Sequence, residues 1–303
     1  AIKLQTYTAD TLTLNCNKKD FIINSGSIWD GQNYYSLYQK AHTPWEWHKK
    51  LFEVAKEEGL VCFSSPFDTS AVDLLEELNN PIYKIASFEI TDIPLIRYVA
   101  SKGKPIIIST GIATSQDIEL ALKTCREEGN DQIILLKCTS SYPAPIAEAN
   151  LVMIRDLAER YGVETGLSDH TLGITAPVVA VTLGAKIIEK HFILDKTIGG
   201  PDESFSLDEK EFTQMVKAVR EAELAIGKVD YTLTEKQEQG RNFSRSLYIC
   251  QNVKKGDIID KNNVRSIRPG FGLHPKYLPL ILEKKFNSNF DKGTRMTLDL
   301  FEK

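Results

Sequence analysis

No stretch of this 303-residue chain approaches the ~18 consecutive apolar residues of a membrane-spanning helix, which excludes an integral α-helical membrane protein. Cysteine is sparse and badly spaced for cross-linking. The five (16, 62, 125, 138 and 250) are an odd number with no CxxC pair, so neither a disulfide framework nor a paired-cysteine zinc or redox motif is expected. Cys62 and Cys138 fall inside strand-like runs, where a free thiol behaves as a small apolar group. Charge of one sign is also missing. The 37 Lys and Arg stand against 41 Asp and Glu with no block of like charge, which argues against a nucleic-acid surface. No Gly-rich turn follows the first strand-like run, so the dinucleotide-binding fingerprint is absent. Nothing at the start reads as a signal peptide, since residues 1–5, AIKLQ, have the pattern of a buried strand. The expectation is a reduced, cytoplasmic protein without disulfides.

What remains is a chain that is 42% hydrophobic and 26% charged, enough to bury one large core with a small one beside it. From residue 60 a short apolar run, a polar turn and an amphipathic stretch recur. Strands are expected at 60–65, 83–87, 105–110, 133–138, 163–168 and 186–191, with helices near 69–79, 92–102, 114–128, 148–161, 172–183 and 207–226. Ser206 and Glu209 read as a capping box for the last helix and Gly227 as its end. A further helix is expected at 44–58, with Thr43 as N-cap and Pro44 at the first helical position. Such alternation predicts a parallel sheet with right-handed crossovers.

Adding AIKLQ makes seven strands, one short of a (β/α)8 TIM barrel, and polar residues end nearly every one: Lys3 and Gln5, Ser64 and Ser65, Ser87, Ser109 and Thr110, Thr139, Ser168, His191. A barrel gathers these ends at one mouth, whereas an open doubly wound sheet does not, so the barrel is preferred. Beginning in mid-pattern, the chain is expected to lack the first strand and helix of that barrel. Residues 6–43 form a long insertion rich in Tyr, Asn and Thr. After 227 the period breaks. Residues 228–241 read as a polar linker and 242–303 as a small second domain with strands at SLYIC, DIID and VRSI. A domain of that size is poorly stable alone and is expected to lean on the barrel or on a neighbouring chain.

Two strings concentrate the chemistry. GLSDHT at 166–171 and IIEKHF at 187–192 each end an apolar run on histidine, twenty-one residues apart, the length of one βα unit. His170 and His191 are therefore expected at the ends of neighbouring strands, where two imidazoles can hold a borderline divalent ion such as Zn, Mn or Co as a Lewis acid. The bland alternative is a pair of structural histidines with satisfied hydrogen bonds.

The series KLQT, FSSPFD, YKIASFEI, STGIAT, KCTSSYPAP, GLSDHT, IEKHF and GGPDESFSLD, then RSL…KKGD…RPGFGLHP, resembles the sialic acid synthases from end to end, with the motifs in family order. That family condenses phosphoenolpyruvate with an amino sugar to build a nine-carbon ulosonic acid. Its members begin with a Glu-bearing strand and an Asn-His-Asn-Gly-like segment, which this sequence does not contain. TPWEWHK at 43–49 and ASFEI at 86–90 are most similar to the branch that makes pseudaminic acid; other branches usually carry glycine where Phe88 stands. The resemblance implies a C-terminal antifreeze-like (SAF) domain, a divalent metal on His170 and His191 (Mn, with Co or Mg as alternatives), and a domain-swapped homodimer. It implies that Lys3, Lys84, Ser87, Ser109, Thr110, Ser140 and Ser168 bind phosphoenolpyruvate, and that Gln5, Tyr142, Asp202 and Arg268 face the sugar, Arg268 in the partner subunit's barrel. Glu89 is a candidate for steering or deprotonating water, and Asp169 for orienting an imidazole. Three rivals stay open: an N-acetylneuraminate or legionaminate synthase, a metal-free Schiff-base aldolase using Lys190 or Lys137, and a non-catalytic carbohydrate- or ice-binding protein built on residues 242–303.

Overall fold

Seven short strands, several of them rich in Ile and Leu, pair side by side as one parallel sheet in strict chain order. They are β1 (Ile2–Thr6), β2 (Cys62–Pro66), β3 (Tyr83–Ile85), β4 (Ile106–Ser109), β5 (Ile133–Cys138), β6 (Glu164–Asp169) and β7 (Ile187–Lys190). The computed structural model describes residues 1–26 and 28–302. It divides into two units, Ala1–Gly227 and Lys228–Lys303. Within the first, the sheet curls until side chains of its outermost strands meet, Lys3 Nζ on β1 lying 3.3 Å from Glu189 Oε1 on β7.

Strand alternation gives the sheet two faces of different character. Outward, Tyr83, Ile85, Ile106, Ile108, Ile133 and Leu135 pack against Leu75, Ile96 and Leu122 in the main core. Each such burial is worth roughly 1.5–3 kcal/mol. Those partners come from α4 (Thr69–Glu77), α5 (Ile93–Ala100) and α6 (Ser115–Glu127), and α7 (Met153–Tyr161) and α8 (Thr175–Thr182) follow the next strands. Inward, Phe63, Ile107 and Leu136 with Ile82, Ile134 and Ile187 form a separate apolar layer. Gly166 admits that layer: a Cβ there would stand 2.7 Å from Leu136 Cδ2 and 2.4 Å from the Ile187 carbonyl. Two residues further along each strand the inward positions turn polar, as Lys84, Ser109, Ser168 and Glu189. The apolar layer is the floor of the site.

Several local expectations shift. Helix α3 (Trp45–Glu57) begins one residue late, with Pro44 in the capping position and no side-chain cap, so Thr43 does not serve. For α9 (Glu209–Ile226) the capping box is Asp208 with Glu211; Ser206 instead donates to the Asp202 carbonyl at 2.7 Å. Gly227 ends that helix as expected. Helix α7 begins at Met153 rather than 148, because Asn150 takes a left-handed φ of 43° that interrupts the turn. The insertion after β1 carries α1 (Ala9–Leu12) and α2 (Tyr34–Ala41), the latter capped by Asn33.

The second unit has its own core of Leu247, Ile249, Val253, Ile259, Val264, Ile281, Phe286, Met296 and Phe301. Its strands β8 (Ser246–Ile249) and β9 (Val264–Ile267) pair antiparallel. The DIID segment is not a strand and contributes one bridge, Ile258 to Lys285. The expected linker contains a short helix, α10 (Glu235–Gly240), and α11 (Leu278–Ile281) lies near the C-terminus. Among the described residues no helix is long and apolar enough to cross a membrane, and all five cysteines are free.

Candidate active site

The polar layer above the apolar floor is one connected network. Glu189 Oε1 accepts from Ser168 Oγ at 2.8 Å and lies 3.3 Å from Lys3 Nζ and 3.8 Å from Lys84 Nζ. Lys84 is fully buried and donates to Ser109 Oγ at 2.7 Å and to the Ile85 carbonyl at 2.9 Å. Burial pushes its ammonium down to about 8, with Glu189 acting against that fall. Burial alone would raise Glu189, but Lys3, then Lys84, and the Ser168 hydroxyl hold it at about 2. Two cations around one anion leave the layer net positive, and burial strengthens its pull on a small polyanion.

Ser87 and Ser140 lie above this layer. Ser140 Oγ donates to Ser87 Oγ at 2.7 Å, and the Ile112 N–H donates to the same oxygen at 3.0 Å. The backbone closes on them because residue 111 is glycine; a Cβ there would lie 2.1 Å from Ser140 Oγ and 2.7 Å from Ser87 Oγ. Glu89 follows Ser87 in a 3-10 turn after β3. Its carboxyl is pushed up to about 7 by burial, with Lys84 acting the other way, and its Oε2 has no hydrogen-bond partner among the described residues.

The two imidazoles come together, ring centroids 5.3 Å apart. His170 Nδ1 is 2.9 Å from the Thr139 carbonyl, and a carbonyl can only accept, so Nδ1 carries the proton and Nε2 keeps its lone pair. Burial lowers His170 to about 4, so the ring is neutral near pH 7. His191 Nδ1 faces Asp202 Oδ2 at 3.3 Å, which likewise leaves Nε2 available. This carboxylate–imidazole pairing is the arrangement that orients metal-bound histidines. Among the described residues no group of three His, Cys, Asp or Glu converges. The donor set therefore fits an ion held by two imidazoles with its other positions open to water or substrate. Tyr142 packs on His170 at 4.3 Å, and Phe205 closes on His191 at 5.0 Å.

Most of the candidate residues from the sequence thus gather at the ends of β1–β7. Thr110 does not join the donors: its hydroxyl donates to the Leu136 carbonyl at 3.1 Å and is spent on the sheet. Asp169 makes no bond to an imidazole ring, because it faces away and binds Lys190 at 2.6 Å. Lys190, the candidate Schiff-base nucleophile, is locked in that pair. Lys137 also stands on the outer face, donating to the Cys138 carbonyl at 2.6 Å. Neither lysine has the free, inward-facing amine a Schiff base requires. Gln5 shares the inward face of β1 with Lys3, and Phe88 is exposed. Arg268 is exposed just beyond β9 in the second unit. Glu189 was not anticipated, although its spacing of two from both Ile187 and His191 was the available signal.

Residues 1–231 match the NeuB family. The pseudaminic acid synthase of Campylobacter jejuni subsp. jejuni (strain 81-176) is 50% identical over 293 residues, covering 97% of this chain and 85% of that protein. The pseudaminic acid synthase of Helicobacter pylori is 47% identical over 303 residues, covering 100% and 89%. Among solved structures, an N-acetylneuraminic acid synthetase from Leptospira borgpetersenii in complex with citrate aligns with a TM-score of 0.69 at 30% identity, over 79% of each chain. A spore coat polysaccharide biosynthesis protein from Bacillus subtilis aligns with a TM-score of 0.63 at 32% identity, over 100% of this chain and 87% of that one. With the family match spanning the whole sheet and the imidazole pair, this chain belongs to the NeuB family.

Proposed function

We propose that this chain condenses phosphoenolpyruvate with a 2,4-diacetamido-2,4,6-trideoxy hexose of the altrose type and water, giving a nine-carbon nonulosonic acid and phosphate. We read its seven strands as part of a (β/α)8 barrel and residues 242–303 as an antifreeze-like module. The observation that carries the proposal is the Lys3–Glu189–Lys84 layer opening toward the paired imidazoles. The strong likeness to pseudaminic acid synthases supports the choice of sugar.

Phosphoenolpyruvate presents a phosphate and a carboxylate on adjoining atoms. Lys3 and Lys84 meet these charges, with Glu189 keeping both ammonium groups aimed inward. Ser87 and Ser109, whose hydroxyls only accept in this network, supply short donors, and Ser140 and Ser168 support them through their bonds to Ser87 and Glu189. Gln5, Tyr142 and Asp202 hold the open-chain sugar. Carbon 3 of phosphoenolpyruvate forms a bond to the aldehyde carbon, whose oxygen gains a proton. Water adds to C2, giving one proton to Glu89, which passes it to the former aldehyde oxygen. The C2–O bond to phosphate then breaks as phosphate leaves with its electron pair and takes the second proton of that water, leaving C2 as the keto carbon. A divalent metal on His170 and His191, Mn in this reading with Co or Mg as alternatives, supplies Lewis-acid polarisation of the aldehyde oxygen. Phosphate release measured with a panel of amino sugars tests the assignment. The altrose-type diacetamido sugar should give the highest kcat/KM, and preference for N-acetylmannosamine or a legionaminate precursor would move the chain to another branch.

The titrations set a narrow pH window. Glu89 must be ionised to accept a proton, so kcat/KM for phosphoenolpyruvate rises through about pH 7. Lys84 must be charged, so the same parameter falls through about pH 8. Glu89→Gln should lower activity and remove the acidic limb; an acidic limb that persists in this variant would exclude Glu89 as the base.

The two units differ in charge. Residues 228–303 hold fifteen Lys and Arg against nine Asp and Glu, a net +6, which leaves −10 for residues 1–227. Opposite charge favours docking of the basic unit on the acidic unit of a second copy, in an isologous dimer that brings Arg268 to the partner's sugar and shields the site from water. Mixing an Arg268→Ala chain with a His170→Ala/His191→Ala chain should restore one intact site per mixed dimer. No recovery after confirmed subunit exchange would show that Arg268 has no such role in a partner's site.

A further inference from the structure

The inner face of β6 and β7 leads to the paired imidazoles, and the outer face of the same strands carries a buried ion pair. Asp169 directly precedes His170, and Lys190 directly precedes His191. Their side chains meet at 2.6 Å between Lys190 Nζ and Asp169 Oδ2, with 0% and 1% of their surfaces exposed. The two residues are opposite one another in register and form the last rung of the β6–β7 ladder. His170 and His191 each sit one residue beyond it.

Both members of the pair also bond to the chain that leaves His170. Asp169 Oδ1 accepts from the Thr171 N–H at 2.9 Å, and Lys190 Nζ also donates to the Thr171 carbonyl. From the other side, the Ala144 N–H donates to the His170 carbonyl at 2.9 Å. The backbone of His170 is therefore tied to β7 by the ion pair and to the segment after β5 by a backbone bond. Buried ion pairs are poor stabilisers compared with apolar residues of the same volume, so stability alone is a weak reason for this one. Its place at the final rung is a better reason.

We infer that Asp169 and Lys190 are a positioning pair: they lock the ends of β6 and β7 in register so that the two imidazoles beyond them are held at the spacing needed to share one divalent ion. This rests on the metal-dependent reading above. Neither residue touches substrate. Their effect passes through the two histidines, as the supporting contacts of metal-bound histidines generally do.

The test uses the full chain and metal alone as probe. Lys190→Met by itself strands a buried carboxylate and can unfold the protein, so the main variant is Asp169→Asn/Lys190→Met, which removes both charges at similar volume. Asp169→Asn alone, keeping shape and acceptor, is the second. Mn2+ binding is followed by electron paramagnetic resonance, Co2+ geometry by visible absorption, and phosphoenolpyruvate KM and Tm are measured alongside. The double variant should bind Mn2+ about 10- to 100-fold more weakly with an altered Co2+ spectrum. Tm should stay close to that of the unaltered chain and phosphoenolpyruvate KM within about twofold, since Lys84 and the serines are untouched. Unchanged Mn2+ affinity and Co2+ spectrum would overturn the inference. So would a parallel fall in Mn2+ affinity, phosphoenolpyruvate affinity and Tm, which marks a merely structural pair. Failure of the unaltered chain to bind Mn2+ would instead strike the metal-dependent reading itself, before any variant is compared.

Discussion

Lys84→Ala should reduce kcat/KM for phosphoenolpyruvate by roughly 10- to 150-fold while leaving KM for the sugar nearly unchanged. The range corresponds to about 1.5–3 kcal/mol, the usual cost of losing one hydrogen bond to a charged group. Lys84 is fully buried between Ser109 and Glu189, so its ammonium has no bulk water to satisfy it and is available to a bound anion. Truncation also leaves Glu189 with Lys3 as its remaining cation, which makes the layer electrically neutral and less attractive to a polyanion. Lys3→Ala should act in the same direction but more weakly, because Lys3 is partly exposed and water replaces some of what it provides. An unchanged response to phosphoenolpyruvate in Lys84→Ala would make that lysine a structural ion-pair partner only.

His191→Ala should lose bound metal and about 4 kcal/mol of transition-state stabilisation, on the order of a thousandfold in kcat. Two imidazoles are the convergent donors here, so losing one removes half of what the protein offers the ion. His170→Ala should be equally damaging. Chelation of the unaltered chain should mimic both, with activity returning on addition of Mn2+. Asp202→Asn should be milder, since Asp202 acts on His191 from 3.3 Å and is itself partly exposed. Normal metal content and turnover in His191→Ala would return both histidines to a structural role. Activity that survives chelation would point the same way.

The order of the seven strands was legible because the apolar runs and their spacing are local properties of the chain. The imidazole pair was legible for the same reason, each histidine closing a run of its own. Glu189 was not, because a carboxylate beside lysine in KIIEKH reads locally as a solvated charge. Its partner Lys3 is far away in sequence, and only the curl of the sheet brings β1 against β7. Alternation still held the clue, since 187, 189 and 191 share one face while 188 and 190 share the other. The same parity argues against Lys190 as a nucleophile. Thr110 was misjudged because a hydroxyl at a strand end can turn either to the mouth or to the neighbouring strand's carbonyl, and here it does the latter. The helix starts slipped where several capping residues crowd together, as Ser206 and Asp208 do before α9. His48, by contrast, is an ordinary core residue: its Nε2 bonds Thr6 Oγ1 at 2.8 Å and its Nδ1 faces the Pro44 carbonyl.

Incubating the chain with phosphoenolpyruvate, Mn2+ and the altrose-type diacetamido sugar, and quantifying phosphate, pyruvate and nine-carbon acid together, decides whether the polar layer and the imidazoles work as one site. The account predicts phosphate and nonulosonic acid in equal amounts, no pyruvate, and no phosphate release when the sugar is omitted. Phosphate released without sugar, pyruvate in place of the nine-carbon acid, or product formed undiminished under chelation would contradict it.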